Sequence, residues 1–132
     1  MKFGVTIVPR ISDWRLFVDL ENMGYDAAWA ADSQMLYSDC YATLSLAAAN
    51  TSRIRLGTGV VSLPYHHPFT LASRIMQLDH MTRGRAMFGV GPGALVHDAA
   101  KLGIDAAAQR PRMNEALDVL MELMQGRSVT KK

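Results

Sequence analysis

Cysteine is nearly absent: Cys40 is the only one in 132 residues. One cysteine cannot close an internal disulfide, so it reads as a small buried hydrophobe in a chain from a reducing compartment. Long apolar runs are absent as well. The N-terminal run from Phe3 to Val8 stops at Pro9 and Arg10, too short for a signal segment. No other stretch approaches the roughly 18 apolar residues of a membrane-spanning helix. A cytoplasmic chain with no membrane partner is the expectation. Nor is there an excess of one charge: 14 basic and 12 acidic side chains leave a net +2, which is no footprint for nucleic acid. Neither a His-Glu-x-x-His nor a paired Cys-x-x-Cys pattern occurs. The adjacent His66 and His67 point apart in extended chain, so no metal site is expected. What remains is 49% apolar and 20% charged residues, with ten glycines and five prolines. That composition excludes collagen-like, coiled-coil and disordered classes.

Four short apolar runs read as strands buried on both faces: Phe3 to Val8, Ala27 to Ala31, Ile54 to Val61 and Ala86 to Val90. Continuous runs of this kind fit a parallel sheet. Segments of helical period lie between them. Ser12 or Asp13 caps a first helix that buries Trp14, Phe17 and Leu20 and ends at Gly24. A second helix runs from Asp39 to Asn50, and a third starts after Pro68 with Leu71, Ile75 and Leu78 on one stripe. The last has Pro111 near its start, Met113, Leu117, Leu120 and Met124 on one face, and Gly126 just past its end. The repeated βα rhythm predicts an α/β fold: a partial, half TIM-type barrel with four parallel strands and flanking helices, forming a single domain over residues 1–132. A closed eight-stranded barrel needs about 250 residues. An open flavodoxin-like sheet is the competing arrangement, although Pro9-Arg10-Ile11-Ser12 stands where its glycine turn belongs.

Ligands of parallel α/β proteins sit beyond the carboxyl ends of the strands. Asp32 is the one carboxylate directly at a strand end. It either polarises a substrate or fixes a cofactor ring, or it caps the next turn. Gly89-Val90-Gly91-Pro92-Gly93 runs from a strand into a glycine-rich turn, and Gly57-Thr58-Gly59 lies inside an apolar strand. The first is neither a phosphate loop nor a dinucleotide fingerprint, because the required later glycines and the Gly-Lys-Ser/Thr are missing. Both say only that the backbone must approach something closely.

Three longer stretches go further. Leu56 to Pro68 (LGTGVVSLPYHHP), Gln77 to Arg85 (QLDHMTRGR) and Gly89 to Leu95 (GVGPGAL), followed by Leu102 to Asp105 and Gln109 to Met113, resemble the luciferase-like monooxygenase superfamily. The resemblance is closest to limonene-monooxygenase-like flavin-dependent enzymes and covers the N-terminal half of such a barrel. It implies a flavin-dependent oxidoreductase that inserts one oxygen atom into a small organic substrate, using reduced flavin (FMN) and O2. By position it implies that Gly59, Val60, Val61 and Ser62 line the flavin ring and that Gly91, Pro92 and Gly93 approach it from the fourth strand. It also implies a bulge with a cis peptide at Gly59-Val60, where Thr58 and Ser62 would hydrogen-bond the disturbed backbone.

The resemblance has gaps. The histidine common at the end of the second strand is missing, since that position reads Ala31-Asp32-Ser33-Gln34. Asp32 is left as the candidate catalytic residue. The loops that usually hold the flavin phosphate come late in such barrels, so weak flavin binding by this chain alone is the expectation. Two alternatives stay open: a deazaflavin-dependent hydride-transfer enzyme, suggested by Asp32, and a truncated inactive relative acting as an interaction module. Unpaired edges on the first and fourth strands point to a homo-oligomer or to a C-terminal half that completes the barrel. The barrel-facing surface is expected to carry Val5, Ile7, Trp29, Met87 and Val90.

Overall fold

The order of the strands in the sheet decides between the two candidate arrangements. A computed structural model describes residues 1–130. Its elements are β1 (Gly4–Ile7), α1 (Trp14–Asn22), β2 (Ala27–Ala30), α2 (Cys40–Asn50), β3 (Arg55–Ser62), α3 (Pro68–Thr82), β4 (Ala86–Gly91), α4 (Val96–Lys101) and α5 (Gln109–Met124). The four parallel strands lie in the order β1-β2-β3-β4. A flavodoxin-like sheet would place the first strand between the second and third. Strict succession is instead how a (β/α) barrel is laid down, so the open-sheet alternative is excluded.

Each helix starts and stops for a local reason. The Asp39 carboxylate accepts the Ala42 amide at 2.8 Å and caps α2. Gly24, at φ +93°, closes α1 in a backbone conformation that a side chain resists. Asp13 does not cap α1 as expected: its carboxylate accepts the Arg10 amide at 2.9 Å and closes the short 3-10 turn before the helix. One helix was not anticipated. Residues 96–101 form α4, whose single turn and a half is too short to show a period in the sequence.

The chain divides into two compact units. Unit 1 comprises residues 1–61 and 77–90, and unit 2 comprises residues 62–76 and 91–132. The core of unit 1 is built from Phe17, Ala28, Ala30, Cys40, Leu44, Ala47, Ile54, Leu56 and Leu78, all buried. In unit 2 Leu63, Leu71, Ile75, Ala99 and Leu120 are buried. On α5 only Leu120 of the expected stripe is fully buried, and Met124 is exposed.

Two clips fasten the entry to β3. The Glu21 carboxylate accepts the backbone amides of Ser52, Arg53 and Ile54. The half-buried Arg85 guanidinium donates to Thr82 O, Thr51 O, Thr51 Oγ1 and Ile54 O.

The two faces of the sheet differ. Register pairs Val5 with Ala28 and Thr6 with Trp29, then Ala27 with Arg55 and Trp29 with Gly57. Side chains at matched positions of neighbouring parallel strands share a face. Trp29 therefore lies with Gly4, Thr6, Arg55, Gly57 and Met87 on the face away from Ala28 and Ala30. This corrects the expected barrel-facing set. Trp29 and Met87 belong to it, whereas Val5 and Ile7 share the face of the fully buried Ala28 and Ala30. Val90, three positions after Met87, falls on the opposite side by the alternation of the strand. Glycine on the open face makes room for Trp29: a Cβ at Gly4 would lie 2.3 Å from its ring, and one at Gly59 2.6 Å from its Cβ.

Candidate functional site

In unit 1 the carboxyl ends of β2 and β3 are adjacent, because those strands pair. Asp32 follows β2 by two residues and is half-buried. Gln34 Nε2 donates to its Oδ1 at 2.9 Å, and the Cys40 thiol hydrogen-bonds the same carboxylate. Asp32 is thus held from two sides. Burial pushes the Cys40 thiol up, and the charges of Asp32 and Asp39 push it further. Cys40 is a fixed donor to Asp32, with no thiolate character for nucleophilic work. The other amide atom of Gln34, Oε1, is buried and has no hydrogen-bond partner among the described residues. A buried acceptor in that condition favours any N–H or O–H brought to it.

On β3 the Gly59-Val60 peptide is cis, where the resemblance places one. Val60 is 45% exposed, while Val61 is fully buried and offers no side chain to a ligand. Thr58 does not support the backbone at this bend. Its hydroxyl donates to Gly89 O at 2.9 Å and accepts from Gly89 N at 3.1 Å, tying β3 to β4.

Unit 2 holds the remaining expected residues. Ser62 and Gly91 are buried, and Pro92 and Gly93 are half-buried. Gly93 adopts φ +91°, and a Cβ there would lie 2.4 Å from Tyr65 Oη and 2.8 Å from Gln109 Nε2. Gln109 Nε2 donates to Tyr65 Oη at 2.5 Å. Burial raises the pKa of Tyr65, the negative Asp98 raises it further, and the Gln109 bond opposes both. Asp98 is itself buried and pairs with Lys101 at 3.9 Å. The glycine turn of residues 91–93 is therefore packed on a tyrosine–glutamine pair.

His67 Nδ1 accepts the Phe69 amide at 3.3 Å. Among the described residues, no group of three His, Cys, Asp or Glu side chains is placed to hold a metal ion. No described helix is long and apolar enough to cross a membrane.

Gln34, Tyr65, Gln109 and Asp98 were not singled out from the sequence. An amide two residues after a strand-end acid was the available signal for Gln34. The 44-residue gap between Tyr65 and Gln109 left no signal for that pair.

Limonene 1,2-monooxygenase of Rhodococcus erythropolis is 44% identical over 124 residues, covering 91% of this chain and 32% of that protein. The 4-hydroxyprotoasukamycin monooxygenase of Streptomyces nodosus subsp. asukaensis is 47% identical over 128 residues, covering 89% and 34%. The chain spans about a third of the length of the curated relatives it matches. Among solved structures, the monooxygenase RslO1 of Streptomyces bottropensis superposes with a TM-score of 0.90 at 25% identity, over 100% of this chain and 45% of that one. The oxygenating constituent of 3,6-diketocamphane monooxygenase of Pseudomonas putida, solved with FMN, shares the fold (TM-score 0.90, 19% identity, 100% and 41% covered). So does the coenzyme F420-dependent tetrahydromethanopterin reductase of Methanopyrus kandleri (TM-score 0.75, 26% identity, 92% and 39% covered). Residues 9–132 match the model of the luciferase-like monooxygenase family, and the chain belongs to that family.

Proposed function

We propose that this chain is the ring-binding portion of a flavin-dependent monooxygenase acting on a small organic substrate. The observation that carries the reading is the Asp32–Gln34 pair at the end of β2. It presents a fixed carboxylate and a buried amide oxygen that lacks a donor. An isoalloxazine ring carries an N–H of the kind that oxygen requires, so the residues present fit the ring of FMN. When bound, reduced FMN supplies the activation of O2.

The chain's own part is to bind and orient. With the ring bound, Gln34 Oε1 would accept from its edge, the exposed Val60 would offer apolar contact, and Asp32 would hold or receive a proton. Asp32 stays in one rotamer because Gln34 and Cys40 both bond it. Gly59 continues the ring-facing strand end, and Ser62, Gly91, Pro92 and Gly93 are the unit 2 residues assigned to the same cofactor by resemblance. For the phosphate the fit is poor: Arg10 is the one cation in the loops after β1, β2 and β3, leaving aside the histidines.

The test compares FMN with riboflavin by quenching of flavin fluorescence on titration with the chain. Weak binding, equal for the two within about a factor of three (~0.7 kcal/mol), is expected, because the contacts are to the ring. Gln34→Leu is expected to abolish it. Absence of saturable binding, or an affinity unchanged in Gln34→Leu, would overturn the reading. A deazaflavin is the second reading, favoured by the F420-dependent neighbour and by the carboxylate at Asp32. Tighter binding of F420 than of FMN in the same titration would select it.

A further inference from the structure

In unit 1, the segments that lead into β3 and β4 enclose a basic cavity that the proposed function leaves unused. It measures about 250 Å³, and its border includes Thr51, Ser52, Met81, Arg83 and Arg85. No acidic side chain borders it among the described residues. Arg83 is exposed and makes no hydrogen bond or ion pair among the described residues. Arg85 is half-buried, and its guanidinium makes four bonds to neutral oxygens. A guanidinium has five N–H donors, so one on Nη2 is left over. Burial pushes the pKa of Arg85 down; the charge of Glu21 opposes this, and that of Arg83 adds to it. The Glu21 carboxylate is already committed to the amides of Ser52, Arg53 and Ile54.

Helix chemistry alone does not ask for an arginine at position 83. The residue follows the end of α3 with φ +56°, a left-handed conformation that suits glycine or asparagine. A cation near a helix C-terminus is favourable, but Arg85 already supplies one by donating to Thr82 O. Bare carbonyls at that end would repel an anion, and donors cover most of them. Asp79 O accepts from the Gly84 amide and from Thr82 Oγ1, and His80 O accepts from the Arg83 amide. Beside α2, Thr51 Oγ1 donates to Ala47 O, and Arg85 takes Thr51 O. Two guanidinium charges therefore border a cavity whose nearby carbonyls are largely spoken for.

We propose that this cavity binds a small, doubly charged oxyanion, a phosphate ion or the phosphate group of a monoester, through Arg83 and the spare N–H of Arg85. Phosphate oxygens match the donor fork of an arginine and supply acceptors enough for two. An anion between two like charges replaces one repulsion with two attractions. The volume suits a small ion, since pockets that enclose drug-sized ligands run to roughly 300–1,000 Å³.

The experiment is calorimetric titration of the chain with inorganic phosphate, together with urea denaturation in phosphate and in chloride of equal ionic strength. Phosphate is expected to bind saturably and to raise the denaturation midpoint above that in chloride. Arg83→Gly removes the charge and suits the left-handed backbone, so it is expected to keep its stability in chloride. Its phosphate affinity is expected to fall at least ~10-fold, through loss of a charge-assisted hydrogen bond. Should that variant fail to fold, Arg83→Asn takes its place, because asparagine also tolerates this conformation. Glycerol phosphate separates the two sources. Tighter binding than inorganic phosphate assigns the site to a phosphorylated molecule, and equal or weaker binding assigns it to the free ion. Absence of saturable binding, or an affinity unchanged in Arg83→Gly, would overturn the proposal. So would a rise in midpoint that never saturates and is equal in Arg83→Gly, which is the general exclusion effect of phosphate on any folded chain.

Discussion

Replacing Glu21 by alanine removes the clip that fastens the start of β3 to the end of α1, and its cost follows from which amides lose their acceptor. The carboxylate accepts from Ser52 N at 3.0 Å, Ile54 N at 2.7 Å and Arg53 N at 2.6 Å. Ser52 and Arg53 are exposed, so water takes over as acceptor and each loss is small, about 0.5 kcal/mol. Ile54 is fully buried. Its amide has less access to a substitute, and leaving it unpaired costs about 1–3 kcal/mol. Together Glu21→Ala is expected to lower stability by about 2–4 kcal/mol, measured by urea denaturation at neutral pH. Burial on its own would raise the pKa of Glu21. The amides of Ile54, Arg53 and Ser52 and the charge of Arg53 outweigh it, so the carboxyl is held below its ordinary value. A depressed carboxylate contributes stability that is fully present above the unfolded-state value of 4.5 and is lost as pH falls through the folded-state value. Glu21→Gln keeps an acceptor but cannot titrate, so its acid limb is expected to be shallower than that of the unmodified chain. A loss under about 0.5 kcal/mol for Glu21→Ala, or an unchanged acid limb for Glu21→Gln, would refute the reasoning.

Two further outcomes are expected. Arg85→Lys replaces a planar fork that reaches four acceptors with a point charge, and is expected to cost about 2–3 kcal/mol in the same denaturation assay despite conserving charge. Cys40, buried and hydrogen-bonded to Asp32, is expected to react with a disulfide reagent at about pH 8 only as fast as the chain unfolds, which stopped-flow absorbance would check against the unfolding rate.

Much of this protein was legible in its sequence for reasons of period and punctuation. The four strands were legible as short, mostly apolar runs, but the burial expected on both faces is met on one only: β1 alternates exposed and half-buried residues, and Arg55 stands exposed in the third run. Asp39 and Gly24 marked helix ends through chemistry that acts over three or four residues, and the peptide at Gly59-Val60 lies where the resemblance put it. What depended on distant neighbours was not legible. Parity along a single strand cannot say which set of side chains faces the helices, and only the pairing of Thr6 with Trp29 moves Val5 and Ile7 off the open face. α4 escaped notice because six residues give no period. The orphaned oxygen of Gln34 and the Tyr65–Gln109 bond arise only when the fold decides which polar atoms find partners. The same holds for Arg55, an ordinary surface charge in the sequence. Sequence determined the elements and their order, which local sterics and burial dictate. Tertiary structure alone decided which charge stands on the open face, because only the register of one strand against the next assigns a side chain to a side.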